Sequence, residues 1–195
     1  MQYHSTMTRV YRRKLVVVGD AAVGKSALTQ MFHSGGKLFP KQYNMTTSVE
    51  YHTKTVGVPD STDQVELHIY DSAGQDMFAE LVPSFWRGTH AVLLVYDVTR
   101  RHTFESAAER YHRVVEAAGG RFKGGLLPGA LVANKMDQEE RISVHRPAGL
   151  ELASSTGLTF FEVSAAEGDK EGIGAPFEHV AALLHKAAVE EGAVE

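Results

Sequence analysis

The run Gly19-Asp20-Ala21-Ala22-Val23-Gly24-Lys25-Ser26 carries residue types and a G-x-x-x-x-G-K-S spacing suited to holding phosphate. Gly19 and Gly24 let the backbone curl so that successive N–H groups point inward. Lys25 adds a charge that reaches the outer phosphates of a nucleotide, and Ser26 can offer its hydroxyl to Mg²⁺. Three further clusters follow along the chain: Asp71-Ser72-Ala73-Gly74-Gln75, Asn134-Lys135-Met136-Asp137 and Ser164-Ala165. Asp71 can hold Mg²⁺ through water. Asp137 can accept both the ring N–H and the exocyclic amine of guanine, donors that adenine lacks on that edge. Adenine would leave this carboxylate unpaired, a mismatch that discriminates strongly.

Such residues need strands and helices to bring them together. Leu15 to Val18, Ala91 to Tyr96 and Leu131 to Ala133 are continuous apolar runs, as expected of parallel strands covered on both faces. Val49 to Lys54 and Val65 to Ile69 alternate instead, which predicts a pair near the sheet edge joined through Pro59-Asp60-Ser61. Lys25 to Ser34, Phe104 to Ala118, Pro147 to Ser155 and Pro176 to Val189 are predicted helices. Phe104, Ala107, Ala108, Tyr111, Val114 and Val115 form one apolar stripe, read as core packing, and Phe177, Val180 and Leu184 would pack the last helix down. Asp71 and Asn134 each end a strand run, so both fall at the carboxyl edge where open α/β sheets bind ligands. The fold class is α/β: an open, mostly parallel sheet with helices on both faces and one antiparallel edge strand.

With 43% apolar content, 195 residues can bury a full core without disulfides. The expectation is one domain over residues 1–195 with its core at about 12–188. A net charge of -4 spread along the chain lacks the footprint of a nucleic-acid binder. The basic cluster Arg9 to Lys14 is read as a solvated strand entrance rather than a membrane or RNA patch. Met1 to Arg13 has no apolar signal-peptide segment, and no stretch is long enough to cross a bilayer, so a soluble, cytoplasmic protein is expected. Ten histidines are scattered without metal-site spacing and are read as surface or half-buried residues.

The nucleotide clusters, the run from Asp71 through Phe78, Pro83-Ser84-Phe85-Trp86-Arg87-Gly88 and Val92 to Arg100 together resemble the Ras superfamily of small GTPases, and its Rab branch in particular. The resemblance spans about Lys14 to Lys186. It implies the three-layer P-loop NTPase fold with a six-stranded sheet, and binding of GTP and GDP with Mg²⁺. A narrower similarity, to the Rab-like subunit of intraflagellar transport complex B, lies in Tyr43 to Thr47, Val56 to Asp60 before Val65-Glu66-Leu67, Asp71 to Gly74, and Ala175-Pro176-Phe177. That similarity implies a place in a transport particle of the cilium, flagellum and basal body. A small β-sandwich subunit would be the heterodimer partner, with the larger complex beyond it. Activating, exchange and effector proteins are further implied partners. Most Rab-like proteins carry prenylated cysteines; these residues include no cysteine, and Met1-Gln2 lacks the glycine for myristoylation, so another protein is expected to carry the chain to membranes.

By the same resemblance the phosphate contacts run from Asp20, Ala21, Ala22 and Val23 through Gly24, Lys25 and Ser26 to Ala27. Thr46, rather than the adjacent Thr47, completes the metal set with Ser26 and Asp71, and its N–H touches the γ-phosphate. Gly74 supplies a second such N–H, since a residue without a side chain permits close approach. Gln75 orients the attacking water, so Gln75, Lys25 and Gly74 form the implied catalytic set. Asn134, Lys135, Asp137, Ser164, Ala165 and Ala166 are the implied base contacts, with Ala166 standing where the family often has lysine. Phe39 either stacks at the edge of the guanine or plugs the core, and the Lys135 stem either covers one face of the base or is simply exposed.

Two omissions imply slow turnover. The interval from Ser26 to Thr46 is too short for an inserted domain carrying an arginine in cis, a group worth roughly 10³ to 10⁵ in rate. Ala21 and Ala22 stand where many relatives have glycines, and a methyl at Ala21 could crowd Gln75. Asp97 is read as a structural turn former. Phe78, Phe85 and Trp86 either make a partner-facing aromatic patch or pack beneath a helix. Three functions stay open: a slow GTP-hydrolysing switch inside a transport assembly, a non-enzymatic scaffold subunit that keeps GTP as a structural ligand, and a Rab-type vesicle-trafficking GTPase. A P-loop kinase or ATPase is the remaining rival, yet Asn134 and Asp137 have no role after a strand in an adenine site.

Overall fold

A computed structural model describes residues 8–42, 44–75, 82–120, 125–167 and 172–192. Its strands are β1 (Val10–Val18), β2 (Val49–Gly57), β3 (Gln64–Ser72), β4 (Ala91–Asp97), β5 (Gly129–Asn134) and β6 (Thr159–Val163). They form one sheet in the order β2-β3-β1-β4-β5-β6. Every pairing is parallel except that of β2, which runs antiparallel to β3 at the edge. The helices are α1 (Lys25–Ser34), α2 (Arg101–Glu105), α3 (Ala107–Ala118), α4 (Arg146–Thr156) and α5 (Ala175–Gly192). This is the expected small G domain fold. No helix among the described residues is long and apolar enough to cross a membrane.

Strand alternation divides the core into two layers. Leu15 and Val17 of β1 face one side, where Leu28 and Phe32 of α1 meet Phe177, Val180 and Leu184 of α5. Val16 and Val18 face the other, against Tyr111 and Val114 of α3 and Ala153 of α4. Burial on both faces is why β1, β4 and β5 read as unbroken apolar runs in their inner halves. Phe177 is fully buried and stacks on Phe32 with ring centroids 4.1 Å apart. Truncating such a side chain costs about 3–5 kcal/mol. With α1 and α5 fixed beneath the sheet, the loops at the carboxyl ends of β1, β3, β4, β5 and β6 are held along one rim.

The structure departs from the sequence reading in four places. The predicted helix over Phe104 to Ala118 is two helices meeting at Ser106, whose hydroxyl is spent on the Thr103 carbonyl and the Asp20 carboxylate rather than left to solvent. β6 has no sequence signature of a strand, because at the sheet edge its residues run from exposed Thr159 through three half-buried positions to buried Val163 without alternation. The Arg9 to Lys14 cluster lies mostly inside β1 rather than at its entrance: Arg12 pairs with Glu66, and Arg13 with Glu191. Trp86 is buried and donates its indole N–H to the Ser72 hydroxyl at 3.0 Å, whereas Phe85 is exposed. The two halves of the proposed aromatic patch therefore part ways; Phe78, like Tyr43, lies outside the described residues.

Candidate nucleotide-binding site

The turn between β1 and α1 is fixed from outside. Gly24 caps α1 in the left-handed region at φ 102°, and a Cβ there would collide with the Asn134 side-chain amide. Only glycine fits. No side chain caps α1 and no acid lies in its first turn, so its leading N–H groups and the positive end of its dipole remain available to an anion. The carbonyls of the turn are all taken. Lys25 Nζ donates to Gly19 O at 3.0 Å and Asp20 O at 2.8 Å. Arg100 Nη2 donates to Ala21 O at 3.0 Å, Lys135 Nζ to Ala22 O at 2.9 Å, and Asn134 Nδ2 to Val23 O at 2.8 Å. With five consecutive carbonyls each bonded to a side chain, the peptide planes of the turn cannot rotate independently. Ala22 sits at φ 59°, where a Cβ costs about 1–2 kcal/mol.

Two buried charges face each other across the start of α1. Burial depresses the Lys25 ammonium to about 8, against the opposing pull of Asp71. Burial likewise pushes the Asp71 carboxyl up to about 6, while the nearby Ser26 hydroxyl and Lys25 oppose the shift and Glu50 adds to it. Asp71 is fully buried, and among the described residues neither of its oxygens accepts a geometrically sound hydrogen bond. Beside it the Ser26 and Thr46 hydroxyls lie 3.0 Å apart. An unsatisfied buried carboxylate next to two converging hydroxyls is a hard oxygen donor set, which fits Mg²⁺. Among the described residues Thr47 makes no such contact.

A cavity of about 430 Å³ opens over these groups, a volume suited to a small ligand. Ala21, Ala22, Gly24, Lys25, Ser26 and Ala27 line it together with Thr46, Gly74, Gln75 and Lys135. Phe39 is 45% exposed and also lines the cavity, so it is no core plug. Gly74 rests directly on the turn: a Cβ would lie 2.5 Å from the carbonyl carbon and oxygen of Asp20. Ala21 and Gln75 both line this cavity. Val23 is buried beneath the turn.

At the base end, Asn134 joins three loops. Its amide nitrogen holds Val23 O, and its carbonyl oxygen accepts the Ala165 N–H at 3.1 Å. Asp137 is exposed and accepts a 2.6 Å hydrogen bond from the buried Ser164 hydroxyl, which orients its carboxylate. Lys135, at φ 72°, is neither free nor purely a cover: its ammonium is spent on Ala22 O and on Asp97 Oδ2 at 2.7 Å. Ala166 is exposed and, like Asp137, Ser164 and Ala165, lies outside the lining of the 430 Å³ cavity, which includes Lys135.

Sequence reasoning missed a second layer. Asp97, read as a turn former, is fully buried at the carboxyl end of β4, level with Asn134 of β5. It does form the turn, accepting both the N–H and the hydroxyl of Thr99 at 2.9 and 2.7 Å. It also binds Arg100 Nε at 2.8 Å and Lys135 Nζ. Burial alone would raise its pKa, but the hydrogen bonds from Lys135 and Thr99 outweigh it and hold the carboxyl below the usual range. Asp20, chosen for its backbone, uses its carboxylate to bind Arg110 and Ser106 from the α3 side, and Arg110 also donates to Gly74 O at 3.4 Å. The signal that picked Asp71 and Asn134, a polar residue ending an apolar strand, was present in Asp97 too.

A family model described as Ras family matches residues 14–186. The chain belongs to the Ras family. Family membership carries guanine-nucleotide binding and GTPase chemistry as its common properties. Within this family the chain is similar to the intraflagellar transport protein 27 homolog of Homo sapiens, at 40% identity over 173 residues that cover 89% of this chain and 90% of that relative. It is 38% identical over 181 residues to intraflagellar transport protein 27 of Chlamydomonas reinhardtii, covering 92% and 87%. The Ras-related protein Rab-33A of Mus musculus is 33% identical over 155 residues, covering 79% of this chain and 62% of that protein.

Proposed function

We propose that this Ras-family chain, acting as one small G domain, is a Rab-like guanine-nucleotide switch that binds GTP and GDP with Mg²⁺, hydrolyses GTP slowly and works as a subunit of an intraflagellar transport particle. The observation that carries the nucleotide reading is the turn at residues 19–23, whose carbonyls are all bonded to side chains while the uncapped N–H groups at the start of α1 are left for phosphate. Lys25 keeps a third ammonium proton beyond the two given to Gly19 and Asp20, and that proton is directed to the outer phosphates. Asp137, oriented by Ser164, accepts the two N–H groups of the guanine edge. Ala165 and Ala166 border the base, Lys135 covers one face and Phe39 the other edge.

Ser26, Thr46 and Asp71 would hold Mg²⁺, which when bound supplies charge neutralisation at the phosphates. In hydrolysis a water oxygen bonds to the γ-phosphorus as the bond to the β–γ bridging oxygen breaks, giving GDP and phosphate. Gln75 orients that water, and the Gly74 N–H and Lys25 offset charge on the γ-phosphoryl oxygens. The two arginines bonded to residues of the turn, Arg110 and Arg100, are committed to Asp20, Gly74, Asp97 and Ala21, which supports slow unaided turnover. Loss of the γ-phosphate would free Thr46 and Gly74 together.

The names of the relatives support a flagellar or ciliary transport setting; passage through the cytoplasm and basal body, a small β-sandwich subunit as heterodimer partner, and activating or exchange proteins acting on the switch are proposed from the sequence resemblance. A scaffold that keeps GTP unhydrolysed is the second reading, favoured by Ala21, which lines the same cavity as Gln75 and stands where many relatives have glycine. Single-turnover hydrolysis of wild type beside Gln75→Leu separates the two. The switch requires the variant to be slower by tenfold or more, whereas equal rates leave Gln75 without a catalytic part. Affinity purification from ciliated cells with mass spectrometry tests the setting; recovery of Rab escort factors without transport-particle subunits would contradict it.

A further inference from the structure

We infer that Asp97 is a positioning residue for nucleotide retention: it aims Arg100 and Lys135 at the carbonyls of Ala21 and Ala22 and so holds a phosphate turn that contains alanine where the backbone favours glycine. The inference rests on the guanine-nucleotide reading above.

A fully buried carboxylate near a polyphosphate site is an electrostatic liability unless it is spent on cations. Asp97 is spent on two. Its Oδ2 accepts from Arg100 Nε at 2.8 Å and Lys135 Nζ at 2.7 Å, while its Oδ1 is occupied by Thr99. Each cation then uses a remaining proton on the turn, at 3.0 Å to Ala21 O and 2.9 Å to Ala22 O. The chain of contacts ends at the one left-handed non-glycine residue of the turn, Ala22 at φ 59°. An alanine there relaxes toward ordinary backbone unless its peptide is held on both sides. Lys135 is itself at φ 72°, so its ammonium reaches Ala22 from a backbone that is also constrained. The anion therefore acts through its cations, and only where the turn resists its own conformation does the action matter.

This predicts a coupling that a simple turn former would not have. In protein loaded with fluorescent N-methylanthraniloyl-GDP and Mg²⁺, Asp97→Asn should speed GDP release about tenfold, since a neutral amide of the same shape keeps the Thr99 turn but no longer holds two cations. In an Ala22→Gly background, where the left-handed conformation carries no penalty, the same substitution should speed release only about threefold. Release at the wild-type rate in Asp97→Asn, or an equal acceleration in both backgrounds, overturns the inference. Should Asp97→Asn fail to fold, the cycle is run with Arg100→Met, which leaves Asp97 and its turn in place; faster release that is relieved by Ala22→Gly supports the inference, and unchanged release overturns it. Wild-type protein that retains no GDP contradicts the nucleotide reading itself, an outcome distinct from retention without coupling.

Discussion

The phosphate turn and the segment that faces it are built in opposite ways. From Gly19 to Val23 every carbonyl accepts a side-chain hydrogen bond. From Gly35 to Ser48, among the described residues, the main chain is tied near its ends, by Gly36 N to Met31 O, by Lys37 and Leu38 N to the Ser34 hydroxyl, and by Ala73 N to Ser48 O. Between those ties Leu38 is 68% exposed and Met45 42%. A turn fixed before its ligand arrives loses little entropy on binding, so it can supply affinity. A segment with few buried contacts has a small free energy of local opening, so a ligand group can decide its conformation. Among the described residues the segment is tied toward the turn by the bond from Thr46 to Ser26 at the start of α1, where the metal is proposed to sit. On the proposed function, affinity and state sensing fall to different stretches of backbone.

That division can be broken from the fixed side first. Lys25→Ala removes a charged donor from the phosphates and two carbonyl ties at once, and should weaken GDP and GTP alike by roughly 10³-fold, read by equilibrium titration. An effect confined to GTP would place Lys25 with the sensing segment instead.

The strain stored in the fixed half should appear in its pH dependence. Without nucleotide and metal the folded Asp71 keeps its proton up to about pH 6, while the unfolded chain loses it near 3.8. Stability should therefore fall as pH rises between those values. Lys25 acts in the other window: folded protein releases its proton near 8, unfolded chain near 10.5, so stability regains ground as pH rises between them. Thermal melts across pH should show the fall between about pH 4 and 6 in nucleotide-free wild type, and lose it in Asp71→Asn or with Mg²⁺ and GDP added. A melt curve rising through that window would contradict the placement of Asp71 as a strained, unpartnered acid.

The smallest effect sharpens the comparison from the other side. Thr46→Ala removes the side-chain bond from the exposed segment to Ser26, and should weaken GTP about tenfold while leaving GDP within about threefold. Equal losses for the two nucleotides would mean that the segment contributes to the cradle rather than to sensing.

Much of this was legible in the residues for definite reasons. Strands buried on both faces are continuous in Leu15 to Val18 and Ala91 to Tyr96, and α1 was read to the residue because Gly24 and Gly35 bracket it. Lys25, Ser26 and Gly74 come from motifs with fixed spacing and could be picked out one by one, whereas Gln30, Pro40, Gln42 and Glu50 line the cavity without belonging to any of those motifs. Other features depend on contacts across the fold. β6 is an edge strand without alternation, and the break at Ser106 arises from a hydroxyl that reaches Asp20 from 86 residues away. Asp97 was seen at its strand end, but its role needs Lys135 and Arg100 in place around it. Arg110 lies in an amphipathic helix where nothing local marks it, since its partner Asp20 is 90 residues distant.

The central claim is that the fixed turn receives a nucleotide whose base is chosen by Asp137. Displacement of labelled GDP by competing nucleotides tests it most directly. Wild type should yield its GDP to GTP and not to ATP over at least a hundredfold range of concentration, and Asp137→Asn should lose roughly 10³-fold in GDP affinity while gaining xanthosine diphosphate, whose 2-carbonyl accepts the new amide N–H. Displacement by ATP as readily as by GTP, or a base preference unchanged in Asp137→Asn, would contradict the account.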